Sequence, residues 1–360
     1  MNVVLVHLGN MKNIVYLLLL VGIFSCSSGN VFKGEFRTIE RVEPIEVECE
    51  RLKCEADGAV TGFVADSLYI FYTPMHPDYH LAIGRCEDMT SIARIAHVGR
   101  GPNEFTMISP SERIIRDDNG VYIWLHDLDK EQMVKVNLSQ SCKQGYIATD
   151  STISLSELSR SGEEMFKGSM VEFSPLNDSL AVVQTYQQEG WQNRFLYDYQ
   201  NRKVAYDYTT LFEKIERVDL NGMGIYVKPS GDKVLMNPAV FNQLNICDID
   251  GANPFSISYR KTPLTVAELS VLSGEELMQK MASESSICGV AMTDKAIVVN
   301  YLDRRAGKSE LHIFDWEGEL KHILQPDCVM RNISIDDEAR IYGFVNDELV
   351  ARINASEYLN

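Results

Sequence analysis

Short apolar runs, rich in β-branched and aromatic residues, recur along the chain, and each is introduced by a polar turn. The first three are Ala65-Asp66-Ser67-Leu68-Tyr69-Ile70-Phe71, Asn119-Gly120-Val121-Tyr122-Ile123-Trp124 and Asn177-Asp178-Ser179-Leu180-Ala181-Val182-Val183. The other three begin at Gly231-Asp232, Thr293-Asp294 and Asp337-Glu338. Taking Asp66, Asn119, Asp178, Asp232, Asp294 and Asp337 as equivalent gives intervals of 43 to 62 residues, the length of a four-stranded propeller blade. Asp and Asn suit the turn because their side chains bond the backbone two residues on and tolerate the left-handed conformation of tight hairpins. Six copies predict an all-β fold, a six-bladed β-propeller.

Two later turns, Asp248-Ile249-Asp250-Gly251 and Asp315-Trp316-Glu317-Gly318, read as outer hairpins of the fourth and fifth blades. Asp-x-Asp-Gly echoes a calcium loop, but the downstream acidic ligand is missing. The last apolar runs, ending near Ile353, supply three strands of a final blade. The fourth is expected from the N-terminal segment 42–47, so that both chain ends close the ring and protect its edges. Segments 154–167, 209–218 and 265–285 break the β pattern and predict short helical inserts. Thr265…Glu268 and Ser273…Glu276 have capping-box spacing, and Leu269, Leu272, Leu277, Met278 and Met281 form an apolar helical face.

Ahead of the repeats, Lys12 precedes an apolar run, 14–24, that ends in Ile23-Phe24-Ser25-Cys26. The run is too short for a permanent bilayer span of roughly 20 residues and reads as an export signal over 1–25, with Met11 a candidate start. Its end resembles the bacterial lipobox, which implies that Cys26 is lipidated and anchors the mature protein to a membrane. Residues 26–35 are expected to be a tether and 36–360 the propeller.

The chain of 360 residues carries a net charge of −17, which argues against nucleic acid as a partner. Besides Cys26 it has Cys49, Cys54, Cys86, Cys142, Cys247, Cys288 and Cys328, scattered and without a paired Cys-x-x-Cys zinc pattern. Cys49 and Cys54 are close enough in sequence to pair in an oxidising compartment, and buried free cysteines within strands fit the same positions equally well.

Between the first two blades stands Gly99-Arg100-Gly101-Pro102-Asn103-Glu104-Phe105. This segment resembles the Gly-Arg-Gly-Pro-Gly-Glu-Phe motif of TolB-like six-bladed propeller lipoproteins of Bacteroidetes, with Asn103 in place of the family's glycine. The resemblance implies a fold and an envelope address, and no catalytic residue. Physically, Gly101-Pro102 sets a turn, Arg100 and Glu104 are placed to pair, and Phe105 is placed to wedge between blades. A link from an outer strand to the next inner strand crosses one face of the ring, which makes Arg100, Asn103 and Glu104 candidate ligand-face residues as well as architectural ones. Asp66-Ser67-Leu68, Asp150-Ser151-Thr152 and Asp178-Ser179-Leu180 also resemble the O-glycosylation acceptor of the same bacteria.

No Gly-x-Ser-x-Gly, P-loop or Rossmann fingerprint is present, and no cofactor is implied. His76 and His80 are four apart, but Pro77 argues against the helix that a zinc pair needs. The expected function is that of an envelope lipoprotein at the outer membrane, on its periplasmic side, binding a protein or glycan partner without catalysis. The alternatives are a metal-dependent lactonase with carboxylates gathered at the channel, or a structural subunit of an envelope complex.

Overall fold

The computed structural model describes residues 30–160, 169–186, 192–283, 286–303 and 306–359. The signal and Cys26 lie outside the described residues. Among the described residues six small sheets stand in a ring, each built on four antiparallel strands. Blade I is Thr61–Ala65, Leu68–Tyr72, Tyr79–Arg85 and Ser91–His97. Blade II is Ile108–Asp117, Gly120–Asp127, Gln132–Asn137 and Thr149–Ser154. Blade III is Ser169–Pro175, Leu180–Tyr186, Gln192–Asp198 and Lys203–Asp207. Blade IV is Met223–Val227, Lys233–Pro238, Leu244–Asp248 and Phe255–Ser258. Blade V is Ser286–Met292, Ala296–Asp303, Lys308–Asp315 and Leu320–Pro326. Blade VI has Asn332–Ile335, Arg340–Asn346 and Leu349–Asn354.

All six repeated turns fall at one place, between the first and second strands of a blade. The apolar run after each turn is therefore the second strand, buried on both faces by its neighbours. In Leu68–Tyr72, Leu68, Ile70 and Tyr72 pack toward blade II while Tyr69 and Phe71 pack toward blade VI. A strand covered on both sides has no polar face, which is why these runs lack the alternation of a half-exposed strand. The buried apolar residues accordingly form six clusters, one at each blade-to-blade seam.

Ring closure differs from expectation in one respect. The strand that completes blade VI is Glu50–Lys53, antiparallel to Leu349–Asn354. The expected segment instead supplies Ile45–Val47, which runs parallel to the outer strand of blade V as its fifth strand, and Glu35–Thr38 does the same on blade IV. The N-terminal segment is thus a belt along the rims of three successive blades before it enters blade I. It joins the fold before residue 36: Val31 and Phe32 are fully buried in the seam between blades III and IV. Asn30 bonds Ser256 Oγ and accepts from Gln243.

The inserts are short. Helix α1 (Leu138–Gln144), capped by Asn137, follows a strand of blade II and was not expected from the pattern. Helix α2 (Leu155–Arg160) begins the first expected insert, and two 3-10 turns, Tyr208–Leu211 and Val218–Leu220, mark the second. Helices α3 (Val266–Ser270) and α4 (Gly274–Ser283) form the third. Both capping boxes are made, Thr265 with Glu268 and Ser273 with Glu276. Leu269 and Leu277 are buried in the seam between blades III and IV, whereas Met278 faces outward.

Candidate functional site in the central channel

The first strands of all six blades enclose a cavity of about 960 Å3 at the hub, with Phe63, Arg113, Phe173, Tyr226, Val290 and Ile333 contributing one from each blade. Its size is that of a small-molecule site, and its lining divides about evenly between apolar and polar surface.

Arg113 is the unusual member. It lies where the first strand of blade II loses register against the second, between Pro110 and Ile114. Such a bulge re-aims side chains that a regular strand would bury in a seam. Burial pushes the guanidinium pKa down. Its side chain makes no ion pair or hydrogen bond among the described residues, and its Nε has no acceptor. The side chain as a whole is half-buried, and shielding even part of a cation from water without a partner is costly. Ser109, Ser111 and Asn237 share the lining, and Asn237 Oδ1 is also unsatisfied. His126 is nearly buried there, and burial lowers its pKa, favouring the neutral ring.

The acids of the lining are engaged at the mouth formed by the repeated turns. Asp336 accepts from Arg340 Nε at 2.7 Å and from Tyr342. Asp294 accepts from the Ser230 amide at 2.7 Å, and Asp337 pairs with Arg116 at 2.8 Å. Lys295 stands exposed beside them. Among the described residues, no three carboxylate or imidazole donors of the channel lining converge within 4.8 Å of one another. Among the described residues, the group of metal-type donors that does converge, within 4.8 Å, is Cys49, Asp327 and Cys328, at the outer rim of blades V and VI.

The Arg100–Phe105 loop lies between the outer strand of blade I and the inner strand of blade II, at the end of the ring opposite the repeated turns. None of its residues lines the cavity. Phe105 is buried with Ile95, Ile108 and Leu125, a wedge between blades I and II. Glu104 turns its carboxylate onto the Gly101 amide at 2.8 Å rather than onto Arg100, and Lys130 bonds the Glu104 carbonyl while its ammonium lies 5.0 Å from the Phe105 ring. Asn103 is not among the residues with positive φ, so the turn does not use the left-handed conformation for which glycine would be preferred. Arg100, Pro102, Asn103 and Glu104 are exposed.

The other sequence candidates separate. His80 is buried against the Phe105 carbonyl at 3.1 Å, and His76 stacks on Tyr79. Asp248 is held by Lys233 and Asn253 in a hairpin whose Gly251 has φ 80°. Cys54 contacts the Asp347 carbonyl, and Cys49 lies beside Cys328 instead.

A second polar assembly escaped the sequence reading. Tyr259 Oη meets His312 Nδ1 at 2.6 Å, His312 Nε2 meets Glu310 at 3.0 Å, and Arg41 of the belt pairs with the same carboxylate at 2.5 Å. The hydrogen bond from His312, with Arg41 adding to it, holds the Glu310 pKa down at about 2, while burial lowers that of His312. Glu310 and His312 stand two apart on one strand of blade V, but Tyr259 comes from blade IV and Arg41 from the belt, so no local motif announces the whole set.

Sequence comparison finds neither a matching family model nor a matching curated protein. Among solved structures, the chain is similar to a "putative exported protein" from Bacteroides fragilis, with 12% identity, 86% of this chain and 87% of that chain covered, and a TM-score of 0.53. It is also similar to a member of the DUF4221 family from Bacteroides vulgatus, with 11% identity, 84% and 95% covered, and a TM-score of 0.54. At these identities the likeness is one of fold, and the fold this chain shares with them is the propeller described above.

Proposed function

We propose that this chain is an exported, lipid-anchored propeller of the bacterial envelope, related to the TolB-like lipoproteins, that binds an anionic group of a glycan or protein partner in its central channel without turning it over. The observation that carries the binding reading is Arg113: a half-buried guanidinium, its Nε shielded from water and lacking an internal acceptor, lines a cavity of ligand size. Its planar fork matches a carboxylate in two parallel hydrogen bonds, and Ser109 and Ser111 offer further donors. Export and anchoring rest on the apolar segment before Cys26, and export accords with the fold's likeness to a putative exported protein of Bacteroides fragilis. A hydrolase using a divalent ion is less well supported, because the channel acids are spent on Arg116, Arg340 and backbone amides.

Calorimetric titration with glucuronic acid, galacturonate oligomers and a glutamate-rich peptide tests the proposal. One ligand of the set binding at one site per chain, with affinity reduced at least tenfold in Arg113→Met, is the expected result. Affinity unchanged by that substitution, or metal-dependent turnover of a lactone substrate, would overturn it.

A further inference from the structure

We propose that Cys49 and Cys328 form a disulfide that staples the N-terminal belt to the ring at the junction of blades V and VI. Their Sγ atoms lie 3.1 Å apart, so a bond of roughly 2.05 Å needs only about an ångström of side-chain movement. The backbones on both sides are already fixed. Val47 pairs with Pro326, the Asp327 amide donates to the Val47 carbonyl at 3.2 Å, and the Cys49 amide donates to Asp327 Oδ1 at 2.9 Å. Arg51 then pairs with the other oxygen of the same carboxylate at 2.8 Å. Two main-chain segments far apart in sequence are held in register, with their thiols facing each other.

Access favours exchange chemistry. Cys49 is buried and Cys328 is half-buried, so the incoming oxidant meets Cys328. A hydrogen bond from Cys49 lowers the pKa of Cys328, while the same contact and burial raise that of Cys49. The oxidant is a disulfide, either of low molecular weight or carried by an oxidoreductase. The Cys328 thiolate attacks one of its sulfurs and displaces the other as a thiolate. Cys49 Sγ, losing its proton, then displaces the remaining sulfur, so the oxidant leaves as two thiols and the protein loses two hydrogens. The location of the staple has a mechanical meaning. The belt joins the proposed anchor at Cys26 to the closing strand Glu50–Lys53, and a cross-link at Cys49 passes any pull on the anchor to blade V before it reaches that strand. This consequence rests on the anchoring reading, whereas the bond itself does not.

The test uses the full chain, reduced, exchanged into a mixture of oxidised and reduced glutathione, alkylated in denaturant and cut with trypsin. Cleavage after Arg41, Arg51, Lys321 and Arg331 isolates each cysteine in its own peptide, 42–51 and 322–331. The expected product is the two peptides joined, lighter than their sum by two hydrogens, with Cys49 fully alkylated in Cys328→Ser. Recovery of both peptides alkylated, or either joined to another cysteine, would overturn the proposal. So would stoichiometric zinc that survives a chelator wash and protects both thiols without linking them. Each outcome is independent of whether the channel binds an anion.

Discussion

Arg116 of blade II reaches over the inner turn of blade I to Asp337 of blade VI, at 2.8 Å, and passes Asp66 of blade I at 3.7 Å. One guanidinium thus touches three blades at the mouth of the channel. The magnitude of its contribution follows from exposure: the side chains are 43% and 68% exposed, and pairs so hydrated contribute about 0–1 kcal/mol. Arg116→Ala is therefore expected to lower stability by under about 1 kcal/mol, with the difference shrinking at high salt, as measured by urea denaturation.

The seams carry the larger energies. Phe344, 1% exposed, packs with Tyr69, Phe71 and Val350 where blade VI meets blade I. Phe344→Ala leaves a cavity there and is expected to cost about 3–5 kcal/mol, read as a lower urea midpoint with an unchanged slope.

Closure predicts a different response to truncation. Removing residues through Lys53 uncovers the edge of Leu349–Asn354 and both outer strands now covered by the belt. Exposed edges pair with other chains, so the shortened protein is expected to lose its single cooperative transition and to sediment as oligomers. A monomer with the parent unfolding curve would contradict the belt's role.

Acid stability follows from Glu310 and His312. The folded Glu310 carboxyl titrates near 2 instead of 4.5, so on acidification the unfolded chain takes up this proton first. Its contribution, about 3 kcal/mol from the size of the shift, is complete above pH 4.5 and lost as pH falls toward 2. His312 acts in the same direction at higher pH: its pKa is lowered below 6.5 by burial, so stability begins to fall once pH drops below that value. Glu310→Gln is expected to lose stability at neutral pH and to show a shallower fall between pH 4.5 and 2 in urea midpoints taken across that range.

What the sequence made legible was local chemistry. The six turns at Asp66, Asn119, Asp178, Asp232, Asp294 and Asp337 all stand between first and second strands, because turn residues and buried second strands carry strong residue preferences. The closing strand was misplaced because Glu-Arg-Leu-Lys at an outer rim has a single inward side chain, Leu52, and carries less apolar signal than Ile45–Val47 next to it. Arg113 was invisible for another reason. Ser109-Pro110-Ser111-Glu112-Arg113 reads as a loop, and only the bulge within an inner strand turns it into channel lining; a charged residue directly before Ile114-Ile115 was the one available hint. Glu310 and His312 are neighbours on one strand, but Tyr259 and Arg41, like the partners Cys49 and Cys328, reach their contacts only through tertiary packing of blades and belt.

The central claim is that Arg113 is kept for a ligand and not for the fold, and its most direct test is the stability of Arg113→Met with and without a bound anion. Removing a half-buried guanidinium whose Nε is shielded and unpaired is expected to raise the stability of the ligand-free protein by about 1 kcal/mol, while abolishing the rise in unfolding midpoint that a carboxylate ligand gives the parent chain. A variant less stable than the parent without ligand, or one stabilised equally by the same carboxylate, would contradict the account.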